Sequence, residues 1–152
     1  MEISSNHTFV LPAPRAAVWD ALGVVSDYRT WWPWLRRFDA EGLDEGHVWR
    51  CAIRPPLPYV LRCTVELTSV RAPELVVARV AGDIAGDARL DLTELAAPAT
   101  EARITSRLEA RRLPARLLSR LAPPAARWGH DWVFTTAARQ FAAALGTSSA
   151  SP

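Results

Sequence analysis

Lysine is missing from this 152-residue chain: all 18 basic residues are arginine, set against 16 Asp and Glu. The net charge is only +2, and the arginines alternate with acids along the segments, so no basic stripe marks a nucleic-acid face. Arginine without lysine, amid abundant Ala, Pro, Leu and Val, points to a GC-rich bacterial genome more than to a function. Cysteine is scarce too. Cys51 and Cys63 stand twelve apart with no histidine at ligand spacing, which excludes a zinc site of the recurrent kinds; no metal and no organic cofactor is expected. Long apolar runs are lacking, so nothing reaches the ~20 residues of a membrane-spanning helix. The start, MEISSNHT, has neither the basic region nor the apolar core of an export signal. A cytoplasmic protein with no stable membrane insertion is expected. The catalytic signatures G-x-S-x-G, H-E-x-x-H and the glycine-rich phosphate loop are absent as well.

What is present reads as one domain over residues 1–145 with a disordered small-residue tail, 146–152. A chain of this length keeps a core without staples and has room for a cavity. Residues 3–11 alternate, with Ile3, Ser5, His7 and Phe9 on one face. Pro14 suits the start of a helix carrying Val18, Trp19 and Leu22, with Gly23 near its end. Asp27 is placed to cap a second short helix through DYRTWWPWL, which Pro33 limits.

From about Arg37 the period falls to 2 for some seventy residues, the pattern of an antiparallel sheet with one apolar and one wet face. HVWRCAIR presents Trp49, Cys51 and Ile53 to one side, and YVLRCTVEL presents Tyr59, Leu61, Cys63, Val65 and Leu67. If PPLP closes these two into a hairpin with their apolar faces aligned, Cys51 and Cys63 lie close across the pair, as buried thiols. Strands follow at LVVARVAG, DARLDLTEL and TEARITSRLEARR. The last sends Ala102, Ile104, Ser106, Leu108 and Ala110 inward, and Arg112 falls on the same face.

Helical periodicity returns at Pro114, first in a short segment, ARLLSRLA, then in a long helix from about 125 to 145. At 100° per residue, Phe134, Ala138, Ala142, Leu145, Thr135 and Trp128 form its apolar face, with Asp131 inside that arc and His130 on the opposite, solvated side.

This order resembles the START-like, helix-grip superfamily, in particular the polyketide cyclase/dehydrase-type SRPBCC proteins, and the birch pollen allergen. PAPRAAVWDAL, DYRTWWPWL and RWGHDWVFTTAARQF carry the likeness, which covers residues 2 to about 145. It implies an α+β fold in which a curved antiparallel sheet of about six or seven strands wraps the C-terminal helix around an internal cavity. Two short helices and hairpin loops would form the cavity mouth. The scaffold is shared more widely than any catalytic signature.

With that architecture, the expected ligand contacts are Trp31, Trp34, Trp49, Cys63, Val65, Leu90, Ile104, Ser106, Leu108, Trp128, Asp131 and Thr135, with Trp32 as packing. A carboxylate facing an apolar interior must be paired or become neutral, so Asp131, with His7 or Arg112 as partner, heads the candidate acid/base groups. Three functions fit: a monomer or homodimer that binds a hydrophobic, aromatic or polyketide-like molecule; an aromatase/cyclase using His7, Asp131 and Arg112; or a partner-binding domain whose seven tryptophans fill the cavity themselves.

Overall fold

A computed structural model describes residues 2–56, 60–96, 98–112 and 123–150, with side chains of the last segment from 127 to 146. Strand β1 (Glu2–Leu11) leads into helix α1 (Arg15–Gly23), a single 3-10 turn (Val25–Asp27) and the one-turn helix α2 (Tyr28–Trp31). Strands β2 (Leu35–Asp39), β3 (Val48–Ile53), β4 (Leu61–Arg71), β5 (Leu75–Gly82), β6 (Ile84–Leu95) and β7 (Ala99–Ala110) follow, and helix α3 (Pro123–Ala150) closes the chain. The α3 helix runs past the expected end at 145, into the segment read from sequence as a tail. Tyr59, the PPLP loop and the short helix expected at 115–122 lie outside the described residues.

All seven strands form one sheet in the order β1-β7-β6-β5-β4-β3-β2, and every pairing among them is antiparallel. The first strand thus docks on the last. The side-chain alternation fixes this register, because a slip of one residue would turn each apolar face to water. Ser5 lies opposite Ser106 and His7 opposite Ile104. Cys51 pairs directly with Cys63. On the wet face, charges alternate across neighbours in a row: Glu66 opposite Arg79, Arg79 opposite Asp87 and Asp87 opposite Arg107. Such cross-strand pairs of opposite charge contribute about 0.2–1 kcal/mol each.

Glycine allows the sheet to bend. Gly86 in β6 has φ of +150°, and a Cβ there would overlap the carbonyl oxygen of Arg107 on β7. Only a residue without a side chain lets the two backbones approach so closely.

The helices are held by buried contacts more than by caps. Pro14 sits at the N-cap of α1 with no side-chain cap bond, as its lack of a polar side chain requires, and Val18 is wholly buried. The burial of such a side chain stabilises by about 1.5–3 kcal/mol. Asp27 does precede α2, but its side chain makes no cap bond; the 3-10 turn supplies the entry instead. The Tyr28 hydroxyl donates to the carbonyl of Leu22 at 2.6 Å, and Thr100 Oγ1 donates to that of Ala13 at 2.7 Å. The first bond ties α2 to α1, and the second ties the bend before α1 to β7. Tyr28 is itself buried among Trp31, Trp32, Phe38 and Trp49, with ring centroids 4.9–5.6 Å away, and desolvation raises its phenol well above the usual range.

Candidate functional site: an apolar cavity with one half-buried histidine

Between the sheet and α3 lies a cavity of about 390 Å³. Aliphatic residues from strands β1 and β3 to β7 make one wall, Val18 and Leu22 of α1 another, and α3 the third. The α3 wall follows helical spacing: His130, Val133, Phe134, Ala137, Ala138 and Phe141 recur at three- and four-residue steps, which is one face of a helix. Two small alanines there leave room that larger side chains would occupy.

The tryptophan cluster anchors α3 to the entrance helices. Trp32 Nε1 donates to the Ala137 carbonyl at 3.0 Å, and Trp34 Nε1 donates to Gln140 Oε1 at 2.9 Å. Their rings stack at 5.6 Å and both border the cavity. Trp31 instead packs on Phe141 at 5.1 Å, within the core. Trp32 and Trp31 thus exchange the places expected of them: α2 ends at Trp31, and Trp32, its C-cap, leaves the helical conformation (φ −121°, ψ 84°).

Among the expected contacts, the cavity wall brings together Trp34, Cys63, Val65, Leu90, Ile104 and Leu108. Trp49 lies beyond it, its Nε1 donating to the Gly42 carbonyl at 2.8 Å and its ring packed on Tyr28 and Phe38. Trp128 is 50% exposed and Thr135 is exposed, so neither belongs to the wall. Arg112 is also misplaced by the alternation. Strand β7 ends at Ala110, and the guanidinium, 68% exposed, reaches Asp83 at 3.2 Å on the rim of the sheet.

The sequence reading assigned α3's two central polar residues the wrong way round. His130 borders the cavity. Its Nε2 lies 3.0 Å from Ser5 Oγ and 3.2 Å from Ser106 Oγ, and the two hydroxyls are 2.8 Å apart. Burial pushes the His130 imidazole down to about 4, outweighing the opposing pull of Asp131, while the charges of His7 and Arg127 add to the depression. The ring is therefore neutral near pH 7. Asp131 points away from the cavity and meets His7 Nε2 at 3.2 Å, its side chain 41% exposed against 21% for His7. The error is one of helix phase: the observed inner face is rotated by roughly 90° from the expected one. Ser5, Ser106 and His130 could have been joined from the sequence only with both the strand pairing and the helix phase in hand.

Cys63 faces the cavity and Cys51 packs beside it. Both thiols are free, and they interact across the β3–β4 pair, where Cys51 lies opposite Cys63. That interaction makes Cys63 the readier of the two to ionise and pushes Cys51 up. Among the described residues, no group of three or more His, Cys, Asp or Glu could hold a metal ion, and no helix is long and apolar enough to cross a membrane.

No protein-family model matches this chain, and no curated protein matches it. Solved structures do. The Zhui aromatase/cyclase from Streptomyces sp. R1128 superposes with a TM-score of 0.75 at 17% identity, over 96% of this chain and 94% of that one. A START superfamily protein from Mycobacterium smegmatis gives 0.75 at 11% identity, over 95% and 97%. Ara h 8.0201 gives 0.70 at 10%, over 97% and 99%. The chain thus has the START-like, helix-grip fold: a seven-stranded antiparallel sheet closed on a C-terminal helix, with short helices after the first strand.

Proposed function

We propose that this protein binds one hydrophobic small molecule, aromatic or polyketide-like in shape, in the cavity between sheet and α3. The observation that carries this reading is the union of volume and lining: about 390 Å³ of space, bordered almost wholly by carbon, with His130 as a neutral polar group in its wall. Small-molecule sites run to about 300–1,000 Å³, mostly apolar with a few placed polar groups. Seven tryptophans do not fill this space, which argues against a self-packed partner-binding domain. Apolar burial at about 25 cal/mol per Å² supplies affinity, and a ligand oxygen near His130 sets orientation. A cytoplasmic location without membrane insertion, no nucleic-acid partner, and a monomer or homodimer belong to the same reading.

A second reading, an aromatase/cyclase, is favoured by the same histidine. Imidazole hydrogen-bonded to two serine hydroxyls is a proton relay at an apolar wall, and the likeness to Zhui adds fold-level support. In such a step His130 would remove an α-proton from a bound poly-β-ketone and return it to the departing hydroxyl. Magnitude counts against it as a base. An imidazole held down to about 4 accepts protons less readily than an ordinary one near 6.5. Of the groups expected from sequence, Arg112 lies on the rim and the His7–Asp131 pair borders the outside, so catalysis would fall to His130.

Native mass spectrometry of freshly purified protein, followed by denaturing extraction, tests the first reading. A stoichiometric apolar passenger, or uptake of one equivalent from a panel of fatty acids, flavonoids and polyketide mimics, is the expected result. A chain that remains empty throughout would sink it. For the second reading, turnover of a model poly-β-ketone that is unchanged in His130→Ala would rule out this mechanism.

A further inference from the structure

The structure assigns a second chemical capacity to the cavity: we propose that Cys63 is the covalent attachment point for an apolar α,β-unsaturated carbonyl compound, with Cys51 as its positioning residue. The inference rests on the cavity being a ligand site, as proposed above, and deepens that reading by naming a ligand class.

Three observations converge on it. Cys63 lies in the cavity wall, flanked by Val65, Val80 and Leu108, so an apolar electrophile is concentrated beside the sulfur while charged thiol reagents are kept out. Cys51 stands directly opposite on β3, placed for its thiol to hydrogen-bond the Cys63 sulfur when that sulfur ionises. Such a bond stabilises the anion, the form that reacts. The ligation demands no oxidant or metal. The Cys63 S–H bond breaks, the sulfur bonds to the β-carbon, and the C=C π pair moves toward the carbonyl as an enolate. The proton that Cys63 releases is returned to the α-carbon, so the product is a saturated thioether with all atoms accounted for. Burial and the carboxylate of Asp83, from the turn after β5, oppose ionisation of Cys63, and the Cys51 bond outweighs both.

The test uses (E)-3-nonen-2-one and its saturated counterpart 2-nonanone on the intact chain. With no lysine and only two cysteines, adducts are simple to map. Intact mass should show one equivalent of enone, peptide mapping should place it on Cys63, and 2-nonanone should slow it by competition. The Cys51→Ala variant should react about tenfold more slowly, the cost of a lost hydrogen bond to a charged group, and its pH–rate profile should move to higher pH, which a merely structural role would not cause. Mapping on the wild-type chain keeps the test valid if Cys63→Ala does not fold. An adduct on Cys51 or His130, or a rate no greater than in the urea-unfolded chain, overturns the proposal. If 2-nonanone binds, as read by tryptophan fluorescence, while the enone leaves both thiols free, the covalent inference fails alone. If neither ketone binds, the cavity reading fails with it for this ligand class.

Discussion

Residues 130 and 131 are neighbours on one helix, and each reaches the inner face of β1, yet only the first borders the cavity. His130 meets Ser5 inside the cavity wall; Asp131 meets His7 two residues along the same strand, where water still reaches both. A rotation of 100° about α3 separates an imidazole that burial keeps neutral near pH 7 from a pair whose side chains are 21% and 41% exposed. The uncharged cluster is half-buried and satisfied by hydroxyls, which cost less to desolvate than ions. The ionisable pair sits where solvent lowers both its penalty and its worth. Of these two neighbours only the histidine borders the cavity, while the carboxylate that looked suited to chemistry does not.

Acid should break this contrast most strongly. In the unfolded chain the His130 imidazole takes up its proton near 6.5, whereas in the fold it does so only near 4. Between those values the unfolded state binds more protons, so this group's contribution is complete above pH 6.5 and is lost as pH falls toward 4. The loss reaches up to about 3 kcal/mol. Urea unfolding measured from pH 7 to pH 4 should show that decline, and His130→Gln, which cannot titrate, should remove this part of the slope. A variant with the wild-type slope would place the histidine in water.

Next in size is His130→Ala at constant pH 7. It deletes the ring that both serines face, leaving Ser5 and Ser106 with each other at 2.8 Å. The partial rescue should hold the stability loss to about 1–3 kcal/mol. The informative readout is affinity: an apolar ligand bearing a hydroxyl or carbonyl should weaken by about tenfold, and a pure hydrocarbon of similar bulk should not. Equal loss for both would make the histidine a packing residue.

The fold was legible because it rests on periodicity. Alternation over 48–54 and 99–110 identified inward and outward positions, and the aligned apolar faces placed Cys51 opposite Cys63, the register observed. Helix phase was harder. The apolar arc of α3 is blurred by alanines that fit either side, by Trp128, which is half exposed, and by Thr136, which is buried. Hydropathy therefore chose a face centred near Ala138 and Ala142, and with it the wrong polar residue. The end of β7 was illegible for another reason. The two arginines after Ala110 read as two more positions of the alternation, but the backbone there leaves the ladder and hydrogen-bonds Asp83, with Arg111 N donating to its carbonyl at 2.8 Å. Arg112 therefore faces the rim. What sequence could not contain is the Ser5–Ser106–His130 meeting, since its members come from three elements and no two are closer than 24 residues apart.

The smallest expected effect lies at the other half of the comparison. Asp131→Asn keeps the shape of the side chain and removes its charge from a pair separated by 3.2 Å, one partner of which is 41% exposed. Solvent screening at that exposure limits the pair's worth to about 0–1 kcal/mol, and side-chain ordering offsets part of the Coulomb gain. The variant should therefore unfold within about 1 kcal/mol of wild type at pH 7 and low salt, and the difference should shrink as ionic strength rises. Binding of an apolar ligand should change by less than about threefold, because Asp131 has no place in the cavity wall. A loss as large as that of His130→Ala would mean that the field of the carboxylate reaches the cavity through the neighbouring ring. The two residues would then act as one site, and the boundary drawn between them along α3 would have to be abandoned.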